Sequence, residues 1–316
     1  MCTALSFSAG NHYFGRNLDV EKSYGQKVVI TPKGFEVAMR CLPSFRTKYA
    51  MLGMAITPDN FPLCFEATNE KGLSIAGLNF PDNAHYNVTI AGKSNVTPFE
   101  LPLWLLGQCD NVHQARILLT KCNIVNINFS ASLPLSPLHW MLADKDECIV
   151  IESTKDGLKI YDNPFGVLTN NPPFDWHLMN MNNYLHLHNA GSVNANNNSM
   201  AHNYSLGLGA LGLPGDFSSA SRFVKAAFVK NNSVKSENET ENVSQFFHIL
   251  ASVAMPKGCV KMPNGEYEFT LYSCCCNTDK GIFYYNTYDD STIRSVNMND
   301  YNTTDNTKLI IIGEEI

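Results

Sequence analysis

The chain has 316 residues, 44% of them hydrophobic and 16% charged, with a net charge of −6. That is an ordinary globular composition, long enough for one large core or two small ones. No basic run exists to neutralise phosphates, which excludes nucleic acid as a partner. No apolar run approaches the roughly 20 residues of a membrane span, so no membrane anchor is expected.

Met1-Cys2-Thr3 opens the sequence. With a small residue at position 2, the initiator Met is expected to be removed and no signal peptide is expected. Cys2 then carries a free thiol and a free α-amine. An α-amine has a pKa near ~8 and a thiol near ~8.5, so the amine can take the thiol's proton directly or through one water. A neighbouring Arg would favour the thiolate further. On its own, Cys2 reads as the first residue of a strand, and only other residues can raise it to a reacting group.

A hairpin is expected over the first 20 residues, with Gly10-Asn11 as its turn. Strands follow at 26–31, 49–57 and 73–80. Thr97-Pro98-Phe99-Glu100 has the pattern of a capping box and predicts a helix start. A second helix is expected from 110 or 111 to about 122. Strands return at 138–143, 148–152 and 158–161, and a helix is expected over 174–187. The Asn- and Gly-rich stretch 189–215 is too long for an ordinary connection. Helices over 219–230 and 241–254 enclose an exposed link, 231–240. Strands at 266–276, 281–288, 292–298 and 308–312 close the chain. Strands in blocks with helix pairs between them predict an α+β layer fold of antiparallel sheets, in one domain spanning 1–316.

Ten cysteines occur, most inside apolar stretches. They read as small core residues of a reducing compartment, which places the protein in the cytoplasm. Cys274-Cys275-Cys276 does not read as a metal site, because neighbours in a strand point to opposite faces. No metal or cofactor is expected.

Gly15-Arg16-Asn17-Leu18-Asp19 ends the returning strand of the hairpin, so Arg16 and Asp19 are expected beside Cys2. Arg16 would hold the thiolate and Asp19 would orient the α-amine; an exposed strand-end ion pair is the plainer alternative. Gly77-Leu78-Asn79-Phe80-Pro81 and Leu168-Thr169-Asn170-Asn171-Pro172 share one pattern: strand, amide, Pro. An Asn there suits an oxyanion hole, although such a pair is more often only a turn. Arg222 lies early in a helix, in Ser221-Arg222-Phe223.

These segments, with Asn69-Glu70-Lys71-Gly72-Leu73, Leu138-His139-Trp140, Phe174-Asp175-Trp176 and Leu213-Pro214-Gly215-Asp216, occur in the order seen in one family. The chain resembles the choloylglycine hydrolases over essentially its whole length, as far as Tyr284-Tyr285-Asn286-Thr287-Tyr288. These are the conjugated bile salt hydrolases and penicillin V acylases of the N-terminal-nucleophile hydrolase superfamily. The resemblance implies a four-layer αββα sandwich of two antiparallel sheets flanked by helix pairs. It implies Cys2 as nucleophile, Arg16 and Asp19 around it, Asn79 and Asn170 around the oxyanion, and Arg222 supporting the cluster. Asn at position 79 is typical of the bile salt hydrolases, where related penicillin V acylases tend to carry Tyr. Glycine- or taurine-conjugated bile salts are therefore the expected substrates, with penicillin V or another N-acyl amide as the alternative. By the same resemblance Leu18, Pro58, Phe61, Phe129, Leu133 and Leu138 would line an apolar substrate pocket. The 189–215 stretch resembles the family's assembly loop, which implies a homotetramer.

Overall fold

The computed structural model describes residues 1–191, 204–304 and 307–315. Its centre is the hairpin Cys2–Ala9 and Asn11–Val20, turned at Gly10 with φ 66°. The register places Cys2 opposite Leu18 and Ala4 opposite Arg16. Strand Tyr267–Asn277 pairs with the free edge of Asn11–Val20, and Ile282–Thr287 and Arg294–Asn297 extend that side. Val167–Leu168 pairs with the other edge, and Val260–Lys261 completes a seven-stranded sheet. Gly15 is required by close approach, since a Cβ there would stand 1.9 Å from the Cys274 carbonyl oxygen.

A second, eight-stranded sheet has the order Gly157–Asp162, Cys148–Thr154, Leu138–Ala143, Ser74–Asn79, Leu63–Asn69, Met51–Ile56, Lys27–Thr31 and Ile310–Ile312. Every pairing in both sheets is antiparallel. Alternation assigns the faces of this sheet. Val28, Ile30, Leu52, Met54, Ala76 and Leu78 join the core shared with the first sheet. Met51, Ala67, Ile75, Trp140 and Leu142 face the other way, onto helices α1 (Leu101–Leu106) and α2 (Val112–Leu119).

Helix α3 (Phe174–Met181) buries Phe174 in the shared core. Helices α4 (Ser219–Asn232) and α5 (Glu239–Ala251) cover the outer face of the first sheet through Phe223, Ala226, Phe246, Ile249 and Leu250. The layers are thus αββα, the N-terminal-nucleophile hydrolase fold.

Several elements differ from the sequence pattern. Leu63–Asn69 is a full strand that the pattern did not show, and it lies inside the second sheet. α1 begins at Leu101, and only half of the capping box forms. Glu100 accepts from the Thr97 N–H at 2.9 Å, while the buried Thr97 hydroxyl has no partner. The Glu100 carboxylate also takes the Arg40 N–H, which draws it away from simple capping. α3 stops at Met181 and a single 3₁₀ turn, Asn182–Tyr184, follows, because Asn-rich sequence propagates a helix poorly. Of the 189–215 stretch, 192–203 lies outside the described residues.

Candidate active site

Cys2 begins the first strand, with its backbone fixed on both sides. Its N–H donates to Asn170 Oδ1 at 2.8 Å, and its carbonyl accepts from Arg222 Nη1. The alternation of the hairpin sorts the neighbours. Thr3 and Asn17 turn toward α4 and α5: the Thr3 hydroxyl accepts from Arg222 Nη1 at 2.7 Å, and Asn17 donates to the Leu250 carbonyl at 3.0 Å. Arg16, on the opposite face, crosses to the second sheet.

Arg222 is buried in the first turn of α4. Besides Cys2 and Thr3 it donates to Asn170 Oδ1 at 2.7 Å and to the Phe217 carbonyl at 3.0 Å. Asp19 Oδ2 stands 4.0 Å from Arg222 Nη1 and makes no hydrogen bond, while Oδ1 accepts from the Thr270 hydroxyl at 2.6 Å. Burial raises the Asp19 carboxyl above its ordinary range, against the opposing pull of Arg222 and the N-terminal ammonium. Burial lowers the Arg222 guanidinium, partly offset by Asp19 and Cys2.

Asn170 follows strand Val167–Leu168. Its N–H donates to Ser219 Oγ at 2.8 Å and its Nδ2 donates to the Asn79 carbonyl at 2.7 Å. Two buried histidines hold the same segment. His139 Nε2 lies 3.0 Å from the Thr169 carbonyl, and His177 Nε2 lies 3.0 Å from the Asn170 carbonyl. Burial lowers His177 to about 4, so near neutral pH it is uncharged and donates from Nε2.

Met1 is held as well. Its ammonium donates to the Asp19 carbonyl at 2.8 Å and to Glu268 Oε1 at 2.9 Å, and its carbonyl accepts from the Asp19 N–H at 3.0 Å. It is thus the Asp19 backbone, and not the carboxylate, that meets the N-terminal ammonium.

Cys2, Arg16, Leu18, Asp19 and Asn79 line one cavity of about 600 Å³, larger in apolar than in polar surface. A family model described as linear amide C–N hydrolases, choloylglycine hydrolase family, matches residues 2–312. The chain belongs to the choloylglycine hydrolase family. It is 52% identical over 311 residues to a bile salt hydrolase/transferase of Lactiplantibacillus plantarum, covering 98% of this chain and 96% of that one. It is 41% identical to a conjugated bile acid hydrolase of Lactobacillus acidophilus, covering 98% and 99%. A solved conjugated bile acid hydrolase from Clostridium perfringens superposes with a TM-score of 0.92 at 37% identity, covering 100% and 97%. A penicillin V acylase from Agrobacterium tumefaciens shares the fold, with a TM-score of 0.78 at 19% identity, covering 98% and 90%.

In this choloylglycine hydrolase, the six residues expected around the reaction fall into one cluster. Cys2, Arg16, Asp19 and Asn79 reach the cavity, while Asn170 and Arg222 stand behind Cys2. Leu18, Phe129, Leu133 and Leu138 line the cavity, but Pro58 and Phe61 do not. Pro58 starts a 3₁₀ turn, Pro58–Asn60, that leads away after Ile56, and Ile56 lines the cavity instead. Phe61 sits behind the wall, its ring centroid 5.8 Å from Phe99 and 5.7 Å from Phe129.

Glu66 went unnoticed in the sequence because the strand that carries it did. Its carboxylate accepts from the Tyr272 hydroxyl at 2.8 Å, and Oε2 lies 3.8 Å from Arg16 Nε. A register shift in the pairing of Met51–Ile56 with Leu63–Asn69 leaves Phe65 without a ladder partner. The Phe65 carbonyl accepts from Arg16 Nη1 at 3.0 Å, and the Gly77 carbonyl accepts from the same nitrogen at 2.6 Å. Arg16 Nη2 is buried without a hydrogen bond, on a residue that lines the cavity. Burial by itself would lower the Arg16 guanidinium, but Cys2, Tyr272 and Glu66 outweigh it and hold the charge above its ordinary strength. Glu66 leans the other way: burial raises its carboxyl to about 7 despite Arg16 and Tyr272. The 3.8 Å gap is too long for a charged hydrogen bond, so desolvation prevails at Glu66.

That shift has a sign. Between its ordinary 4.5 and about 7, folded Glu66 holds a proton that the unfolded chain has lost. Its contribution to stability is therefore complete below pH 4.5 and is lost as pH rises through 7. The slope is at most about 1.4 kcal/mol per pH unit. Glu66→Gln should flatten this part of the profile, as measured by urea unfolding at a series of pH values. An unchanged slope would show that Glu66 does not titrate there.

Proposed function

We propose that this protein hydrolyses the amide bond of glycine- or taurine-conjugated bile salts, using Cys2 after Met1 is removed. The observation that carries the reading is the setting of Cys2. Its side chain lines an apolar cavity of about 600 Å³, and its backbone is clamped by Asn170 and Arg222. The identities to bile salt hydrolases support the substrate class.

Removal of Met1 turns the Cys2 nitrogen into an α-amine that still faces Asn170 Oδ1. The amine takes the thiol proton, and Arg16 supports the thiolate. The thiolate attacks the amide carbonyl. Donors at Asn79, which lines the cavity, receive the oxyanion, each worth about 10²–10³-fold in rate, while Asn170 Nδ2 holds the Asn79 carbonyl at 2.7 Å and fixes that segment. The amine passes its proton to the departing glycine or taurine, worth about 10²–10⁴-fold. Water then cleaves the thioester and frees the bile acid. Asp19 and Arg222 hold the cluster in place. Leu18, Phe129, Leu133 and Leu138 offer apolar surface to the steroid.

Penicillin V is the second substrate to weigh. Asn79 and the identities to bile salt hydrolases favour bile salts over it. On enzyme beginning at Cys2, release of glycine or taurine should exceed side-chain release from penicillin V, and Cys2→Ser should lose both. Faster turnover of penicillin V than of every conjugated bile salt would reverse the substrate. Unchanged hydrolysis by Cys2→Ser would remove the mechanism.

The single domain 1–316 is proposed to act as a cytoplasmic homotetramer. All ten cysteines are free thiols, and no helix of the described residues is long and apolar enough to cross a membrane. Around the 189–215 stretch, Met179, Leu185, Tyr204 and Leu211 are exposed, and Leu206 is 96% exposed. Exposed apolar side chains of this kind are suited to a subunit interface. Light scattering coupled to gel filtration should give four times the chain mass, and Leu206→Glu should lower it. A monomer at micromolar concentration would contradict the assembly.

A further inference from the structure

We propose that Arg40 is a latch on the substrate cavity: it fastens the loop 126–137, through Phe129, against Phe99, and so sets how tightly the enzyme holds a bulky apolar acyl group. This rests on the bile salt reading above, since a steroid is the group that such a wall would grip. Arg40 does not itself line the cavity, so its role is positioning.

The loop has no helix or strand to hold its shape, yet Phe129 and residues 132–137 line the cavity. Its ends are tied down. The Asn126 N–H donates to the Asn87 carbonyl at 2.9 Å, and the Tyr86 hydroxyl donates to the Ser136 carbonyl at 2.8 Å. Its two limbs are tied to each other, since the Leu135 N–H donates to Asn128 Oδ1 at 3.0 Å. Among the described residues, Arg40 and Tyr86 are the side chains from outside the loop that hydrogen-bond to it. Tyr86 serves the end next to strand Leu138–Ala143, which leaves Arg40 to hold the Phe129 limb.

Arg40 has a firm base. Its N–H donates to Glu100 Oε1, and Glu100 is buried just before α1. Its exposed side chain then crosses to the loop, where Nη2 donates to the Phe129 carbonyl at 2.8 Å. The guanidinium also lies over two rings, 5.5 Å from the Phe129 centroid and 5.9 Å from that of Phe99. Those two rings meet edge to face at 5.3 Å, and Phe61 braces both from behind. One side chain thus grips the loop by backbone and by ring, across a contact between two walls of the cavity. A planar guanidinium stacks on rings and donates within its plane, which an ammonium does not reproduce. Without it the Phe129 limb opens for part of the time, and the closed cavity is only fractionally populated. Apparent affinity falls by that fraction. Cys2 and its clamps lie on other elements, so the chemical step is left as it was.

The test measures steady-state hydrolysis of a glycine-conjugated bile salt by Arg40→Met, in enzyme beginning at Cys2. Met keeps an apolar stem and removes the charge and the fork. KM should rise about tenfold, the effect of losing one charged hydrogen bond and its ring contacts, while kcat stays within about twofold. Arg40→Lys should fall in between. Alkylation of the Cys2 thiol by iodoacetamide should keep the wild-type rate. An unchanged KM, or a loss confined to kcat, would overturn the latch; so would a changed alkylation rate, which would place the effect at the reacting end. Hydrogen exchange read by mass spectrometry decides the latch without turnover. Amides of 128–136 should exchange about tenfold faster in Arg40→Met, with the rest of the chain at the wild-type rate. Unchanged exchange there, or an equal rise throughout the chain, would overturn the proposal. No hydrolysis of any conjugated bile salt by the wild type would instead sink the hydrolase reading, with the exchange result still deciding the latch.

Discussion

The site depends on one buried guanidinium. Arg222 reaches from the first turn of α4 to the Cys2 carbonyl, the Thr3 hydroxyl and Asn170 Oδ1, with Asp19 at 4.0 Å. It joins the first strand, its hairpin partner and the segment after Val167–Leu168. A guanidinium suits this role because its donors form a rigid planar fork that stays charged when buried. Removal of one member of such a buried set typically costs about 3–5 kcal/mol, because the remaining charge has no partner. Under the proposed mechanism this stiffness would serve chemistry, since a thiol and an oxyanion donor must be held in fixed relation before a substrate arrives.

Arg16 does for the two sheets what Arg222 does for the strand ends. It leaves the first sheet and bonds carbonyls of Phe65 and Gly77 on two strands of the second. The register shift at Phe65 makes one of those carbonyls available. Together the two arginines place positive charge on either side of Cys2 at the mouth of the interlayer space. The cavity is lined by residues of both sheets, Cys2, Arg16 and Leu18 from the first and Ile56, Phe65 and Asn79 from the second.

Much of this was legible in the sequence, because it is local. The hairpin turned at Gly10-Asn11 was expected to bring 15–19 beside Cys2, and the register pairs Cys2 with Leu18. The strand at 138–143 has the expected bounds, and the paired helices follow from their apolar spacing. Strand Leu63–Asn69 was hidden. It starts after Pro62 and carries Glu66 and Thr68 among its apolar residues, which breaks the alternation that marks a strand. Glu66 was lost with it, since only the fold brings that carboxylate beneath Arg16. Glu268 gave no signal because a lone Glu in a terminal strand reads as surface. Pro58 and Phe61 lie outside the cavity lining, Pro58 in a 3₁₀ turn that no sequence pattern marked. The triple cysteine was legible: Cys274 and Cys276 meet Glu66 and Thr68 of the second sheet, while Cys275 lies near Glu239 of α5.

The central claim is that the working group is a terminal residue, with amine and thiol together. Mass spectrometry of enzyme quenched during turnover of a glycine-conjugated bile salt tests it most directly. The account predicts a bile-acyl adduct on the Cys2 thiol, found only on chains that begin at Cys2 and removed by hydroxylamine. Full turnover by chains that still carry Met1, or an acyl adduct on any other residue, would contradict it.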